Sequence, residues 1–409
     1  MRKILFIGLV WPEPTSSAAG WRMLQLIKLF LDSYEVHFAS AAGKSDYAHN
    51  LIELGVHEHV IRLNHSSFDE FISRLQPDVV LFDRFMAEEQ YGWRVAEYCP
   101  KALRILDTED LHFLRLARQE VYKKGQPLNI KSDTAKREIA SILRSDISLI
   151  ISENEMDLLE SEFNIPSNIL YYLPFQEDEI LADKVEKWLS FEERRHFVFI
   201  GNFIHEPNWR TVEILKRIIW PALRKRIPSA ELHIYGAYAS QKVFQLHKPE
   251  EGFYIKGRAE DARRELERYR VLLAPIPFGA GAKGKFVDSM QAGTPTVSSS
   301  VGAESMSVEG EWNGFICNEY SEFVEKAVEL YHNKELWSNS QCKGVQILND
   351  RYANPTYGTV LLSLCAVKIS RLMEDRDENF MGQILLHHQH QAIKYMALWI
   401  AEKNKKTEL

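Results

Sequence analysis

Short, almost continuously apolar runs recur along this chain. KILFIGLV, YEVHFAS, HVIRL, PDVVLFD, LRILD, ISLIIS and ILYYLP all lie within the first 175 residues. A run that is apolar at successive positions describes a strand covered on both faces, the condition of a parallel sheet. GWRMLQLIKLFLDS, SSFDEFISRLQ and SENEMDLLESEF, which lie between such runs, carry helical periodicity. Strand–helix–strand alternation at this spacing predicts a doubly wound α/β domain.

The alternation then pauses. Residues 176–196 (QEDEILADKVEKWLSFEERRH) are charged and hold no strand pattern, so a linker is expected there. It restarts with FVFIGN, AELHIYG, GFYIKG, RVLLAPIP, TPTVSSS and NGFICN as strands. NWRTVEILKRIIWPALRKRIP, AEDARRELERYR, KGKFVDSMQAG and SEFVEKAVELYHN read as the helices among them. The expected organisation is a Rossmann-like domain over 1–175, the linker, a second Rossmann-like domain over 197–353, and a helical extension over 354–409. A chain of 409 residues is long enough for two such domains.

Composition narrows the function classes. A formal net charge of -7 argues against a dedicated nucleic-acid binder, which needs a basic surface. The four cysteines are widely spaced without a zinc-type pattern, which fits reduced thiols and a cytoplasmic protein. The first apolar run ends in Trp-Pro-Glu-Pro and is too short for a signal peptide. No run is long enough for a membrane span. His387, His388 and His390 lack a carboxylate or cysteine at ligand spacing, so a solvated helix face is expected and no metal ligands are assigned.

In doubly wound sheets, ligands sit at the carboxyl ends of the strands, where loops enter helix N-termini. Four such places carry chemistry. The loop PEPTSSAAGWR after the first strand ends in Gly20, with small residues that let backbone approach an anion. It is not G-x-G-x-x-G, so a nicotinamide cofactor is disfavoured. Arg22 there meets either a phosphate or solvent. The strand end LDTEDLHFLRLAR gathers Asp107, Glu109, Asp110 and His112, which either position a hydroxyl and accept its proton or cap a helix. FIGNFIHEPNW offers Gly201 and Asn202 at the first strand end of the second domain.

The most specific place is GAGAKGKFVDSMQAG. Gly279, Gly281 and Gly284 allow a tight loop, Lys283 and Lys285 can neutralise a diphosphate, and the helix that follows aims its N–H groups at the same anion. Asp288 lies one turn inside and can accept hydrogen bonds from hydroxyls. The plain alternative is a glycine-rich turn with solvated lysines.

From Phe197 to Val308 the sequence resembles the donor-binding domain of GT-B-fold retaining glycosyltransferases of family 4 (glycosyl transferases group 1). FVFIGNFIHEPNW, WPALRKRIPSAELHIYG and VLLAPIPFGAGAKGKFVDSMQAGTPTVSSSVGAES carry the likeness. AAGWRMLQLIKLF, DTEDLHFLRLAR and IISENEMDLL extend it more loosely into the first half. Many members carry two glutamates eight positions apart, where this chain has Ala280 and Asp288.

The resemblance implies two Rossmann-like domains facing a cleft and a nucleotide-sugar donor, UDP- or GDP-linked. It implies a diphosphate at Lys283, Lys285 and the amides of Gly302 and Ala303, and a ribose or sugar at Asp288. The base would lie near Arg258. Gly20 would reach the phosphate from the first domain, beside Gly201 and Asn202. Asp110 and His112 would lie near the reacting carbon, with Lys285 taking the leaving-group charge. No cofactor and no metal motif of the Asp-x-Asp kind are implied, and front-face attack with retention is. The acceptor (a glycan, a protein or a lipid-linked sugar) would be read by the first domain and by the segments DRFMAEEQYGW and RQEVYKKGQPLNIKSD, both taken as loops. RTVEILKRIIWPALRKRIP is read as a packing helix, with peripheral contact at the inner membrane face as the alternative. A non-catalytic sugar-nucleotide or glycan-binding module and a sugar-nucleotide epimerase are the competing functions.

Overall fold

The structure, a computed structural model, describes residues 1–405 apart from 309, with side chains throughout except at 388–391. His388 and His390 of the histidine-rich stretch therefore lie outside the described side chains.

Every apolar run named above marks a strand, although HVIRL shares only His59 and Val60 with its strand. The first domain holds β1 (Arg2–Gly8), β2 (Tyr34–Ser40), β3 (His57–Val60), β4 (Val79–Asp83), β5 (Leu103–Asp107), β6 (Ile147–Ile150) and β7 (Leu170–Tyr172). They form one parallel sheet in the order β3-β2-β1-β4-β5-β6-β7. The second holds β8 (Arg195–Ile200), β9 (Leu232–Tyr235), β10 (Phe253–Gly257), β11 (Tyr269–Ala274), β12 (Thr296–Ser298) and β13 (Gly314–Ile316), in the parallel order β10-β9-β8-β11-β12-β13. Both are Rossmann-type orders.

Burial explains the apolar runs. Two clusters cover the two faces of the first sheet, one around Leu5, Val80, Phe82 and Leu106, the other around Ile4, Phe6, Leu81 and Ile105. Consecutive residues of β1, β4 and β5 thus point into different cores, and neither face can be polar. A larger cluster surrounds the second sheet.

The segment 206–226 is one helical rod with Pro221 inside it. A proline removes a backbone donor and crowds the carbonyl four residues back. A π-turn over Leu215–Ile219, closed by Trp220 N–H to the Leu215 carbonyl, accommodates it. Trp209, Val212, Leu215, Ile219, Trp220 and Leu223 are buried in the domain core, as the packing reading requires.

Two segments differ from the expected loops. DRFMAEEQYGW lies largely in the helix Arg84–Tyr98, whose Phe85, Tyr91, Trp93 and Val95 are buried. The first half of RQEVYKKGQPLNIKSD continues the helix His112–Lys124, which Gly125 ends in the left-handed conformation. Both segments are therefore mostly helical rather than loops.

The C-terminal helices return to the first domain. Leu361, Cys365 and Leu372 join the cluster of Ile4 and Phe6. Among the described residues no helix is long and apolar enough to cross a membrane.

Candidate functional site

Each sheet changes direction at its middle, between β1 and β4 in one and between β8 and β11 in the other. Loops leaving such neighbouring strands diverge and open a crevice at the carboxyl ends. The two crevices face each other across a cavity of about 1000 Å³. Its walls include Val10 to Gly20 after β1, Asp83 and Arg84 at β4, Gly201, Asn202 and His205 after β8, and Ile276 to Lys285 after β11, Pro277 and Gly281 excepted.

Among the helices that begin at this cavity are Ala18–Leu31, Glu206–Ile214 and Gly284–Gln291. The first and third meet head to head. A side chain at Gly284 would bring its Cβ within 2.7 Å of the Ala18 Cβ. Helix N-termini carry partial positive charge and unsatisfied N–H groups, so the place favours an anion.

Lys283 and Lys285 stand at the same end. The Lys285 ammonium donates to Asn208 Oδ1 at 2.6 Å and lies 5.0 Å from the centre of the Phe199 ring. The Lys283 ammonium donates to the Gly281 carbonyl at 2.7 Å. Among the described residues neither has a carboxylate within ion-pair distance. Burial pushes Lys283 down to about 8. Burial, and then the neighbouring Lys283, push Lys285 down to about 7. Asn208 is held in turn by donating to the Asn202 carbonyl at 2.8 Å, with its side chain filling the space beside Gly201. Asn202 donates across the cleft to the Ser16 carbonyl at 3.2 Å.

The strand end after β5 forms the opposite wall. Glu109, Asp110 and His112 all line the cavity. Asp110 accepts from Arg115 Nε at 2.6 Å; burial alone would raise its carboxyl, yet Arg115 and then His112 hold it well below the usual range. His112 Nδ1 lies 3.4 Å from Asp110 Oδ1 and 3.6 Å from Glu138 Oε1, and its Nε2 has no partner among the described residues. Glu109 has a left-handed backbone, φ 63°, and an unpartnered buried Oε1. Burial and the adjacent Asp107 push its carboxyl up to about 8. His205, across the cavity, is pushed down to about 3 by burial and by Arg115, so it is neutral. Neither Asp107 nor Thr108 caps a helix: the amides of His112 and Phe113 are taken by Glu138 at 3.1 and 2.9 Å.

Gly281 locks the two walls together. Its φ is 64°, its N–H donates to Glu155 Oε1 at 2.7 Å, and a Cβ there would come within 2.8 Å of the Asp110 Cβ. Ala280 packs into the apolar cluster of the first domain.

Asp288 lines the cavity but is not free. Its Oδ1 accepts from Arg263 Nε at 2.9 Å, and Arg263 also pairs with Glu177 at 2.8 Å. Glu177 accepts from Trp21 Nε1 at 2.6 Å, tying the chain of pairs to the first domain. Arg258 lines the cavity too, 4.1 Å from the Tyr47 ring centre and hydrogen-bonded to Thr15 Oγ1.

Two expectations are corrected. Gly302 and Ala303 do not line the cavity. Their amides are already taken by Ser299, through Oγ at 3.2 Å and the carbonyl at 3.1 Å, because Ser299 caps the short helix Ser300–Ala303. Arg22 meets neither phosphate nor solvent. It is buried, doubly bonded to Asp107 and donating to the Leu173 carbonyl at 2.8 Å. Gly20 does line the cavity, and its missing side chain also makes room for the Glu13 backbone, 2.5 Å from where a Cβ would stand.

Further residues, unmarked by any motif, join the two domains. Arg118 forks onto Glu304 at 2.6 and 2.7 Å and onto the Gly279 carbonyl at 2.8 Å. Tyr238 donates to Glu13 at 2.6 Å, and Ser152 bonds Ser305 at 2.8 Å. No local pattern signals these pairs. The partners are 186, 225 and 153 residues apart.

The facing Rossmann-type domains and the cavity between them define the GT-B class of fold. Residues 194–333 match the family described as glycosyl transferases group 1. The Phe197–Val308 stretch on which the resemblance was drawn falls inside that match. No curated protein sequence matches the chain. HepE from Anabaena, solved with UDP and glucose, has 13% identity and a TM-score of 0.66, over 90% of this chain and 100% of that one. Sucrose-phosphate synthase from Thermosynechococcus elongatus matches with the same four values. A TarM point mutant from S. aureus, solved with fondaparinux, α-GlcNAc-glycerol and UDP, has 13% identity and a TM-score of 0.57 over 73% of this chain. This chain spans 58% of the TarM chain. At these identities the likeness is one of fold.

Proposed function

We propose that the protein is a glycosyltransferase that moves a sugar from a nucleotide-sugar donor to an acceptor hydroxyl, with retention of anomeric configuration. One observation carries the reading: two desolvated lysines, with no carboxylate within ion-pair distance among the described residues, stand beside converging helix N-termini. A desolvated cation costs stability unless an anion joins it. A diphosphate meets that need, and the group 1 match over the same domain supports a sugar nucleotide in particular. HepE and TarM were both solved with UDP, which makes a uridine nucleotide the first donor to try.

The chemistry follows from charge. The bond between the anomeric carbon and the diphosphate breaks, and the nucleoside diphosphate gains negative charge. Lys283, Lys285 and the helix dipoles are pre-set to receive it. The acceptor oxygen bonds the same carbon, and its proton passes to the departing phosphate oxygen. Asp110, held ionised by Arg115, is a poor base and serves as an acceptor for sugar hydroxyls. His112, with its Nε2 turned to no described residue, lies beside it. Arg258 and Tyr47 are the candidate contacts for the base.

The test is a thermal-shift screen against UDP-, GDP-, ADP- and CMP-sugars. A donor at a hundred times its dissociation constant adds about 2.7 kcal/mol of stability. One base should raise the melting temperature in the wild type and not in Lys285→Ala, and slow release of nucleoside diphosphate should follow. If no sugar nucleotide shifts the wild type, the donor site is wrong. If one binds but none is ever turned over, the binding-module reading replaces this one.

A further inference from the structure

Outside the cleft, one cluster of side chains among the described residues has the composition of a metal site. Strands β2 and β3 pair in parallel with His37 opposite His57 and Ala39 opposite His59. Alternate residues of a strand share a face. Glu35 and His37 of one strand therefore lie beside His57 and His59 of the other.

The distances have the scale of a coordination shell. Glu35 Oε1 lies 3.1 Å from His37 Nε2 and 3.7 Å from His57 Nε2. One ligand atom from each of the three residues falls within 4.8 Å of the other two. A tetrahedral ion with bonds of about 2.0–2.1 Å holds its ligands about 3.3 Å apart. Shifts of a few tenths of an ångström in the Glu35–His37 and Glu35–His57 distances would match that separation.

The surroundings fit as well. His37 Nδ1 lies 3.0 Å from His59 Nε2, so the second nitrogen of the inner ligand already has a partner to fix its tautomer. The Phe71 ring, 4.8 Å from His59, backs that partner. The His37 side chain is 7% exposed and that of His57 58%, which gives the site a fixed floor and an open mouth. Two imidazoles and one carboxylate suit zinc or a neighbouring transition ion, where magnesium and calcium ask for oxygen ligands alone.

We propose that Glu35, His37 and His57 bind one Zn²⁺, with water as the fourth ligand and His59 as the positioning partner of His37. The ion would clip β3 to the sheet. That strand is four residues long, lies at the sheet edge, and is reached from β2 by a crossover whose one helical element is the 3₁₀ turn Leu51–Leu54. None of the four residues lines the inter-domain cavity, so the clip is structural and separate from sugar transfer.

The experiment strips the full-length protein with EDTA and titrates Zn²⁺ against a chromophoric chelator. Co²⁺ is the spectroscopic probe. The expected result is one site per chain, visible d–d absorption of a four-coordinate Co²⁺, and a zinc-dependent rise in melting temperature. His57→Ala and Glu35→Gln, at exposed and half-exposed positions, should keep the fold by circular dichroism and lose the site. His59→Gln should weaken binding about ten- to a hundred-fold. Absence of stoichiometric Zn²⁺ binding by the wild type at micromolar metal overturns the proposal. So does binding that persists unchanged in His57→Ala and Glu35→Gln, which would place the ion elsewhere, for example at the His387–His390 stretch.

Discussion

If Lys283 and Lys285 are the diphosphate contacts, donor binding must take up protons. With the cavity free of anion, Lys285 titrates near 7 and Lys283 near 8, both far below an ordinary lysine because burial disfavours their charge. A bound diphosphate favours the charged forms and restores both to full protonation. At pH 8, Lys285 would be about one-tenth protonated and Lys283 about half, so binding should absorb about 1.4 protons. The sign is fixed: the bound state holds more protons, so affinity is highest at low pH and falls as pH rises through 7 and 8. Between pH 7 and 8.5 the dissociation constant should rise about sixty-fold. Titration calorimetry with UDP-glucose at pH 8, in buffers of different ionisation enthalpy, reads the uptake directly, because this diphosphate diester does not itself titrate there. Lys285→Ala should bind more weakly and take up about half a proton. Uptake near zero in the wild type, or a dissociation constant flat from pH 7 to 8.5, would refute the assignment of these lysines to the anion.

Lys285→Met should raise the melting temperature of the ligand-free protein, by about 1–2 kcal/mol of stability, while abolishing the donor-induced shift; chemical denaturation with and without donor checks both halves. Gly281→Ala, with φ 64° and Asp110 at 2.8 Å, should cost about 1–3 kcal/mol and most of the turnover, whereas Gly279→Ala, whose nearest neighbour is 3.7 Å away, should be nearly silent. Glu109→Gln should leave stability at pH 7 within about 0.5 kcal/mol, because a carboxyl pushed up to about 8 is already mostly neutral there and the amide mimics it. Arg118→Ala removes the fork onto Glu304 and should open the cleft, read as a larger radius of gyration in solution scattering without donor.

How far the sequence carried the argument depended on the range of the interaction. The central strands are legible because runs such as PDVVLFD and RVLLAPIP are buried on both faces, and that requirement is written residue by residue, whereas the exposed edge strand β3 is marked only partly, by HVIRL. The glycine–lysine loop was legible because its signal is contiguous. What stayed hidden was the state of each side chain. Asp288 looked like a free acceptor, yet Arg263 occupies it from 25 residues away. Arg22 reads as meeting either a phosphate or solvent, yet Asp107 holds it from 85 residues away. Gly302 looked like an open amide donor, yet Ser299 three positions earlier caps it. A motif gives the residue type and the neighbourhood; whether a charge is spent within the protein is settled by partners that the fold brings together.

That distinction isolates the binding centre. Among the cavity's charged groups, Arg84 pairs with Asp83, Arg115 with Asp110, and Arg263 with Asp288 and Glu177. Arg84 and Arg115 each meet one carboxylate and Arg263 meets two, and these groups act as framework. Lys283 and Lys285, like Arg258, have no carboxylate within ion-pair distance among the described residues; the two lysines bond a carbonyl and an amide. The carbonyl belongs to Gly281, whose N–H is held by Glu155 of the first domain, and the amide to Asn208, linked through Asn202 to Ser16 of the first domain. Each lysine is therefore positioned by contacts that exist when the cleft is closed. Domain closure and assembly of the anion site are one event in this geometry. A donor held by these lysines in turn stabilises the closed arrangement by its differential affinity for it.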